Sequence, residues 1–326
     1  MKRLQPKLNL RPRNNSRKLK PKEYFGLLKE AFNEFQNDNV VKLSASLAYY
    51  TIFSIGPLLL VVISLTGLFF ETEEVTGKLY AQIRGLMGED GANYLLQIIQ
   101  TLKEQRSAAK YSFIGLFILI FGATSVFADI QDSINFIWSI RAKPKRGWVK
   151  FLKNRLLSFS IIIGIGFVMI TSLFINSIAD LLTDQLTQLF NHESVVLFKI
   201  ANTIILFFIV SFMFSVIYKV LPDAEISWKD AKIGARFTAF MFILGKFLIG
   251  YYLGSSNMAN TYGAAAAIII ILSWVYYTAI ILYFGAEFTK VYAWKHGKGI
   301  KPYENAVFII KREAKELPNP EGEKKE

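Results

Sequence analysis

Of the chain's 326 residues, 52% are hydrophobic and only 19% are charged, too few to cover a soluble protein of this length, and the apolar residues fall in blocks. The mean hydropathy is +0.32 and the net charge +13. Positive charge placed between apolar blocks points to anionic lipid head groups as partners and away from nucleic acid, and a chain without cysteine has no disulfide, zinc–thiolate site or thiol nucleophile.

Residues 1–21 are basic and contain Pro6, Pro12 and Pro21, which predicts a disordered tail. About forty polar residues precede the first long apolar run, so no cleaved signal is expected, and the first span serves as the insertion signal. Residues 22–42 read as an amphipathic interfacial helix with Tyr24, Phe25, Leu28, Phe32 and Phe35 on one face. That face rests either on the inner leaflet or on the cytoplasmic ends of a helix bundle.

A helix needs about 20 apolar residues to cross a bilayer. Six segments qualify, at about 44–70, 111–131, 156–179, 200–218, 233–253 and 262–286, within a membrane domain of residues 43–290. The last two form one long apolar block divided at Ser255, Ser256 and Asn257, with Asn260 and Thr261. Residues 71–110 form the one sizeable outer loop, with helical periodicity from Ala92 to Gln105, and residues 291–326 form a tail. Backbone groups in lipid must be satisfied within each span. The predicted fold is therefore all-α, a polytopic integral membrane bundle of six transmembrane helices.

Lys and Arg set the orientation. Eleven precede the first span, seven lie between Arg141 and Arg155 with no acid, and nine follow Glu287. Lys219, Lys229, Lys232 and Arg236 lie between spans four and five. The alternate connections differ: residues 71–110 hold five bases against six acids, and residues 180–199 hold one against three. Both termini are thus expected in the cytoplasm. Trp138, Trp148, Trp228 and Trp294 fall on the same side, as an interfacial belt requires.

Polar side chains at membrane depth are costly and mark candidate sites. Span one carries Tyr49, Tyr50, Thr51 and Ser54 in its inner half; span two ends in Ser125, Asp129, Asp132 and Asn135. Span six carries Tyr276 and Tyr277 and ends at Glu287, while span five starts near Arg236 and holds Lys246 in its outward half. With this topology the buried polar groups gather in the cytoplasmic half, where they would line a cavity. The alternatives are structural. Asp129 and Asp132 sit at the interface if the span is short, Glu287 pairs with Arg236, and Lys246 snorkels outward. Gly250 and Gly254 form a GxxxG pair that serves packing and leaves a homo-oligomer open. The sequence read by eye shows no internal repeat of the kind that inverted-repeat transporters carry.

His192 and His296 fall in different predicted compartments without a ligand pattern, and no Walker A, G-x-S-x-G or H-E-x-x-H sequence occurs. No enzyme, metal or cofactor is expected.

The run Ala45-Ser46-Leu47-Ala48-Tyr49-Tyr50-Thr51-Ile52-Phe53-Ser54, followed by Pro57-Leu58-Leu59, resembles the first span of the YihY / virulence factor BrkB family. Ser133 to Trp138, Leu221-Pro222-Asp223, Tyr262-Gly263-Ala264, Trp274-Val275-Tyr276-Tyr277 and Phe284-Gly285-Ala286-Glu287 are similar as well, so the resemblance covers about residues 25–295. It implies a six-span bacterial inner-membrane protein. The family's older label, ribonuclease BN, finds no nuclease metal site here. Links of some relatives to lipid export imply a transporter or flippase of an anionic lipid or amphiphile. A non-transporting scaffold or envelope protein is the alternative, and a membrane-bound hydrolase or ribonuclease comes last.

Overall fold

The computed structural model describes residues 21–66, 112–143, 192–255, 265–309 and 311, with isolated positions between 76 and 100. The predicted third span, almost all of the outer loop and the N-terminal tail lie outside the described residues. The helices are α1 (Pro21–Asn37), α2 (Val40–Thr66), α3 (Ser112–Ile137), α4 (His192–Val220), α5 (Trp228–Ser255) and α6 (Ala265–Lys295). Four short strands join them: β1 (Ile140–Ala142), β2 (Ala224–Glu225), β3 (Lys301–Pro302) and β4 (Ala306–Phe308).

The apolar runs become helices because each is long and rich in Leu, Ile and Phe, with few interior charges such as Lys246 in α5 and Asp129 in α3. Among the described residues, Thr203–Val220 and Ile268–Lys295 are long and apolar enough to cross a membrane. Helix α6 is the hub, packing against α1, α2, α3 and α5, and α4 packs on α5. Several helices run past their predicted limits at the charged end. Helix α3 continues to Ile137, α5 starts at Trp228 and α6 continues to Lys295. Packing satisfies the polar residues there, so hydropathy alone underestimates these helices.

The all-α prediction needs a small correction. β1 pairs antiparallel with β4, and β2 with β3. The chain after α6 is therefore pinned across the ends of α3 and α4, with Ile140 opposite Phe308 and Ala224 opposite Pro302.

The predicted helix over 22–42 is also divided. It ends at Asn37, and Asn39 adopts φ 51°, a left-handed conformation that asparagine tolerates at a helix end. Leu27 and Ala31 are the fully buried residues of α1, packed with Phe288, Val291 and Tyr292 of α6. Leu28 and Phe35 are partly buried, while Tyr24, Phe25 and Phe32 stay exposed. The helix thus packs on the bundle through a face that overlaps the predicted one at Leu28 and Phe35 but centres on Leu27 and Ala31, where the small Ala31 permits close approach to α6.

The α5–α6 crossing rests on a short repeat. Gly234-Ala235-Arg236-Phe237-Thr238 on α5 matches Gly285-Ala286-Glu287-Phe288-Thr289 on α6. A Cβ on Gly234 would overlap Thr289, and one on Gly285 would overlap Thr238. Each threonine turns back onto its own helix, Thr238 Oγ1 donating to Gly234 O at 2.9 Å and Thr289 Oγ1 to Gly285 O at 2.6 Å. Phe237 and Phe288 stack at 4.2 Å. Each glycine accepts the threonine of the opposite helix, so the backbones approach closely.

Candidate functional site

Three groups of polar side chains occupy the charged end of the bundle. The first is ionic. Lys290 Nζ lies 2.7 Å from Glu287 Oε2, 2.8 Å from Glu34 Oε2 and 3.5 Å from Asp38 Oδ2. It also donates to the carbonyl of Ile137, at the C-terminal end of α3, at 3.0 Å. Lys311 binds Asp38 and approaches the same carbonyl at 3.5 Å. Two ammonium groups thus meet three carboxylates and a helix C-terminus, whose carbonyls are negative and unsatisfied within the helix. Burial pushes the Lys311 ammonium below the usual lysine range, against the hydrogen bond it donates to Asp38. The oxygens of Glu34, Asp38 and Glu287 lie within 4.8 Å of one another, the spacing of a cation site. Lys290 already supplies the positive charge between them, and a hard cation would have to displace it.

The second group is a reciprocal pair. Asn135 Nδ2 donates to Asp223 Oδ2 at 2.9 Å, and Asp223 N donates to Asn135 Oδ1 at 2.8 Å. Nearby, the Trp138 indole donates to Ala286 O at 3.1 Å. The three sequence patterns Ser133 to Trp138, Leu221 to Asp223 and Phe284 to Glu287 therefore converge on one end of the bundle.

The third group is a seam between α2, α3 and α6. Ser46 Oγ donates to Asp129 Oδ1 at 3.2 Å, and the Ser54 and Ser125 hydroxyls lie 2.9 Å apart. Tyr283 of α6 is within electrostatic reach of Asp129 and close to Ser133. Asp129 Oδ2 and the Tyr283 hydroxyl are buried, and neither forms a well-aligned hydrogen bond with a described residue. A buried polar group left unpaired costs about 1–3 kcal/mol.

The predicted site residues divide among these groups and the surface. Ser54 and Asp129 meet in the seam, Asn135 joins Asp223, and Glu287 joins the ionic cluster. Thr51 only bonds back to Leu47 O, at 2.7 Å. Tyr49 and Tyr50 are exposed, and so is Asp132, although it shares a helical face with Asp129. Tyr276, Tyr277 and Lys246 are half-buried, with Tyr277 set against Gly245. The expected pairing of Glu287 with Arg236 is wrong. Both occupy the third position of the repeated pentapeptide, and in the antiparallel crossing Glu287 turns inward to Lys290 while Arg236 is exposed. Sequence reasoning missed Glu34, Asp38, Lys290, Lys311, Asp223 and Tyr283 as site residues. The Glu287–Lys290 spacing of i, i+3 was the available signal for one pair.

Apolar helices with their polar contacts gathered at one end define a helical membrane protein. The family model described as Virulence factor BrkB matches residues 31–308, and the chain belongs to that family. It is 27% identical over 259 residues to a UPF0761 membrane protein of Tolumonas auensis, covering 78% of this chain and 80% of that one. It is 28% identical over 263 residues to one of Psychromonas ingrahamii, covering 78% and 83%. A similar protein of Teredinibacter turnerae is 24% identical over 269 residues, which is 81% of this chain but 60% of the relative's own length. No solved structure matches the chain.

Proposed function

We propose that this protein is a six-span transporter of the bacterial inner membrane, with both termini in the cytoplasm, that moves an anionic lipid or amphiphile. The observation that carries this reading is the buried seam of α2, α3 and α6, where Asp129 Oδ2 and the Tyr283 hydroxyl lack a well-aligned hydrogen bond with a described residue. Inside a membrane bundle such groups are expensive, and a passing head group would offer them partners. The hydroxyls of Ser46, Ser54 and Ser125 continue the polar route along α2 and α3. The basic inner side would concentrate anionic lipid at its entrance.

An ionised Asp129 repels a phosphate, whereas a protonated one donates to it. Transport along this seam therefore requires a proton at Asp129 during passage. Purified protein in liposomes should move a fluorescent phosphatidylglycerol between leaflets. Asp129→Leu should slow this about tenfold or more, the weight of one hydrogen bond to a charged group. Asp129→Asn keeps a donor and should keep transport while losing its dependence on acid. No movement of any lipid in a broad panel by intact protein overturns the reading and favours the non-transporting envelope protein.

A further inference from the structure

The exposed side of α5 is chemically graded. Lys229, Lys232, Arg236, Phe240 and Leu244 are all exposed. At 100° per residue they fall within about 120° of the helix circumference, so they form one stripe. Three cations occupy its first two turns and two large apolar side chains the next two. Asp230, the sole acid in the α5 sequence, is buried and accepts from Lys298 N at 3.0 Å, so it does not neutralise the stripe.

Beyond Arg236 the stripe enters an apolar groove. Phe240 and Leu244 form one wall and Phe208 and Ile204 of α4 the other, enclosing about 460 Å³. Phe208 and Phe240 are 63% and 57% exposed, so the groove opens sideways from the bundle. Arg236 lies one turn, roughly 6 Å along the axis, from Phe240.

A phospholipid carries the same gradient, with an anionic phosphate at the interface and acyl chains directed into the bilayer. The geometry points to a lateral binding site for one anionic phospholipid, its phosphate held by Lys232 and Arg236 and one acyl chain laid in the α4–α5 groove. The charge complementarity selects the head group, since arginine and lysine flanking a span bind anionic lipids at the inner surface. This site lies on α4 and α5, apart from the seam of α2, α3 and α6, and it stands whether or not the protein moves lipid.

Native mass spectrometry of the full chain, released from vesicles of equal phosphatidylglycerol and phosphatidylethanolamine, tests it. The protein should retain one phosphatidylglycerol in preference to phosphatidylethanolamine. Removing surface cations weakens such retention about fivefold for each, so Lys232→Ala with Arg236→Ala should lower phosphatidylglycerol retention by about 25-fold and leave phosphatidylethanolamine unchanged. Leu244→Trp should lower retention of both lipids by filling the groove. All three positions are exposed, and an unchanged melting temperature confirms that each variant folds. Phosphatidylglycerol retention that survives the double substitution overturns the site. So does a disulfide between Leu244→Cys and Phe167→Cys, or between two copies of Leu244→Cys, because protein would then cover the groove.

Discussion

Replacing Lys290 by alanine is expected to destabilise the protein by about 3–5 kcal/mol, the cost of leaving buried charge without its partner. Among the described residues, Lys290 is the one side chain that touches Glu34, Asp38 and Glu287 together. Without it three carboxylates face one another with, among the described residues, Lys311, itself partly exposed, left to balance them. The carbonyl of Ile137 also loses its closer donor. Melting in detergent micelles should fall by on the order of 10 °C. Glu287→Gln should do far less, because the amide keeps the side chain's shape and still offers an oxygen to Lys290. Combining Lys290→Met with Glu287→Gln should recover part of the loss, and that coupling separates an ionic effect from a packing one. Equal and small losses for both single variants would show that the cluster does not hold α1 to the bundle.

The second large effect concerns Gly285. A Cβ there would overlap Thr238 Oγ1 and the Tyr218 hydroxyl. Tyr218 is fully buried, donates to Leu282 O at 2.7 Å and lies 2.9 Å from Thr238 Oγ1. It has no space to retreat. Overpacking costs about 1–3 kcal/mol, and a displaced buried hydroxyl costs about as much again. Alanine's helix propensity returns about 1 kcal/mol, so Gly285→Ala should destabilise by roughly 2–4 kcal/mol. Gly245→Ala is the control. Its Cβ would overlap the hydroxyl, Cζ and Cε1 of Tyr277, the outer part of a half-buried ring that, unlike Tyr218, has room to swing away. Thermal melts in micelles should place Gly285→Ala far below wild type and Gly245→Ala close to it. Equal effects would refute the role given to the buried Tyr218.

These two sites show what the sequence could and could not disclose. The described helices were legible because an apolar run of this length has few other structures available to it. The partner of Glu287 was not, because its choice between Lys290 and Arg236 depends on the rotation of α6 against α5. Hydropathy does not report rotation. The repeated pentapeptide held that information, with glycine and threonine four residues apart on both helices, but it is too short to stand out by eye. In α1 the aromatic residues gave the stronger periodic signal, yet Leu27 and Ala31 face the bundle. Small residues decide close packing but barely register in a pattern of large apolar side chains. Glu34 and Asp38 lie far along the chain from Lys290 and Lys311 and meet them only through tertiary structure. The ladders of two and three residues that pin the segment after α6 fall below any strand signal.

The orientation of the charged end bears on everything proposed above, because the seam's entrance and the cations of α5 must both face the inner leaflet. The chain has no native cysteine, so a single introduced thiol reports its own location. Tyr303, exposed near the β3–β4 turn, is a suitable position. With Tyr303→Cys, a membrane-impermeant maleimide should label inside-out vesicles and leave intact spheroplasts unlabelled. Labelling of intact spheroplasts would place the charged end outside the cell and contradict the assignment.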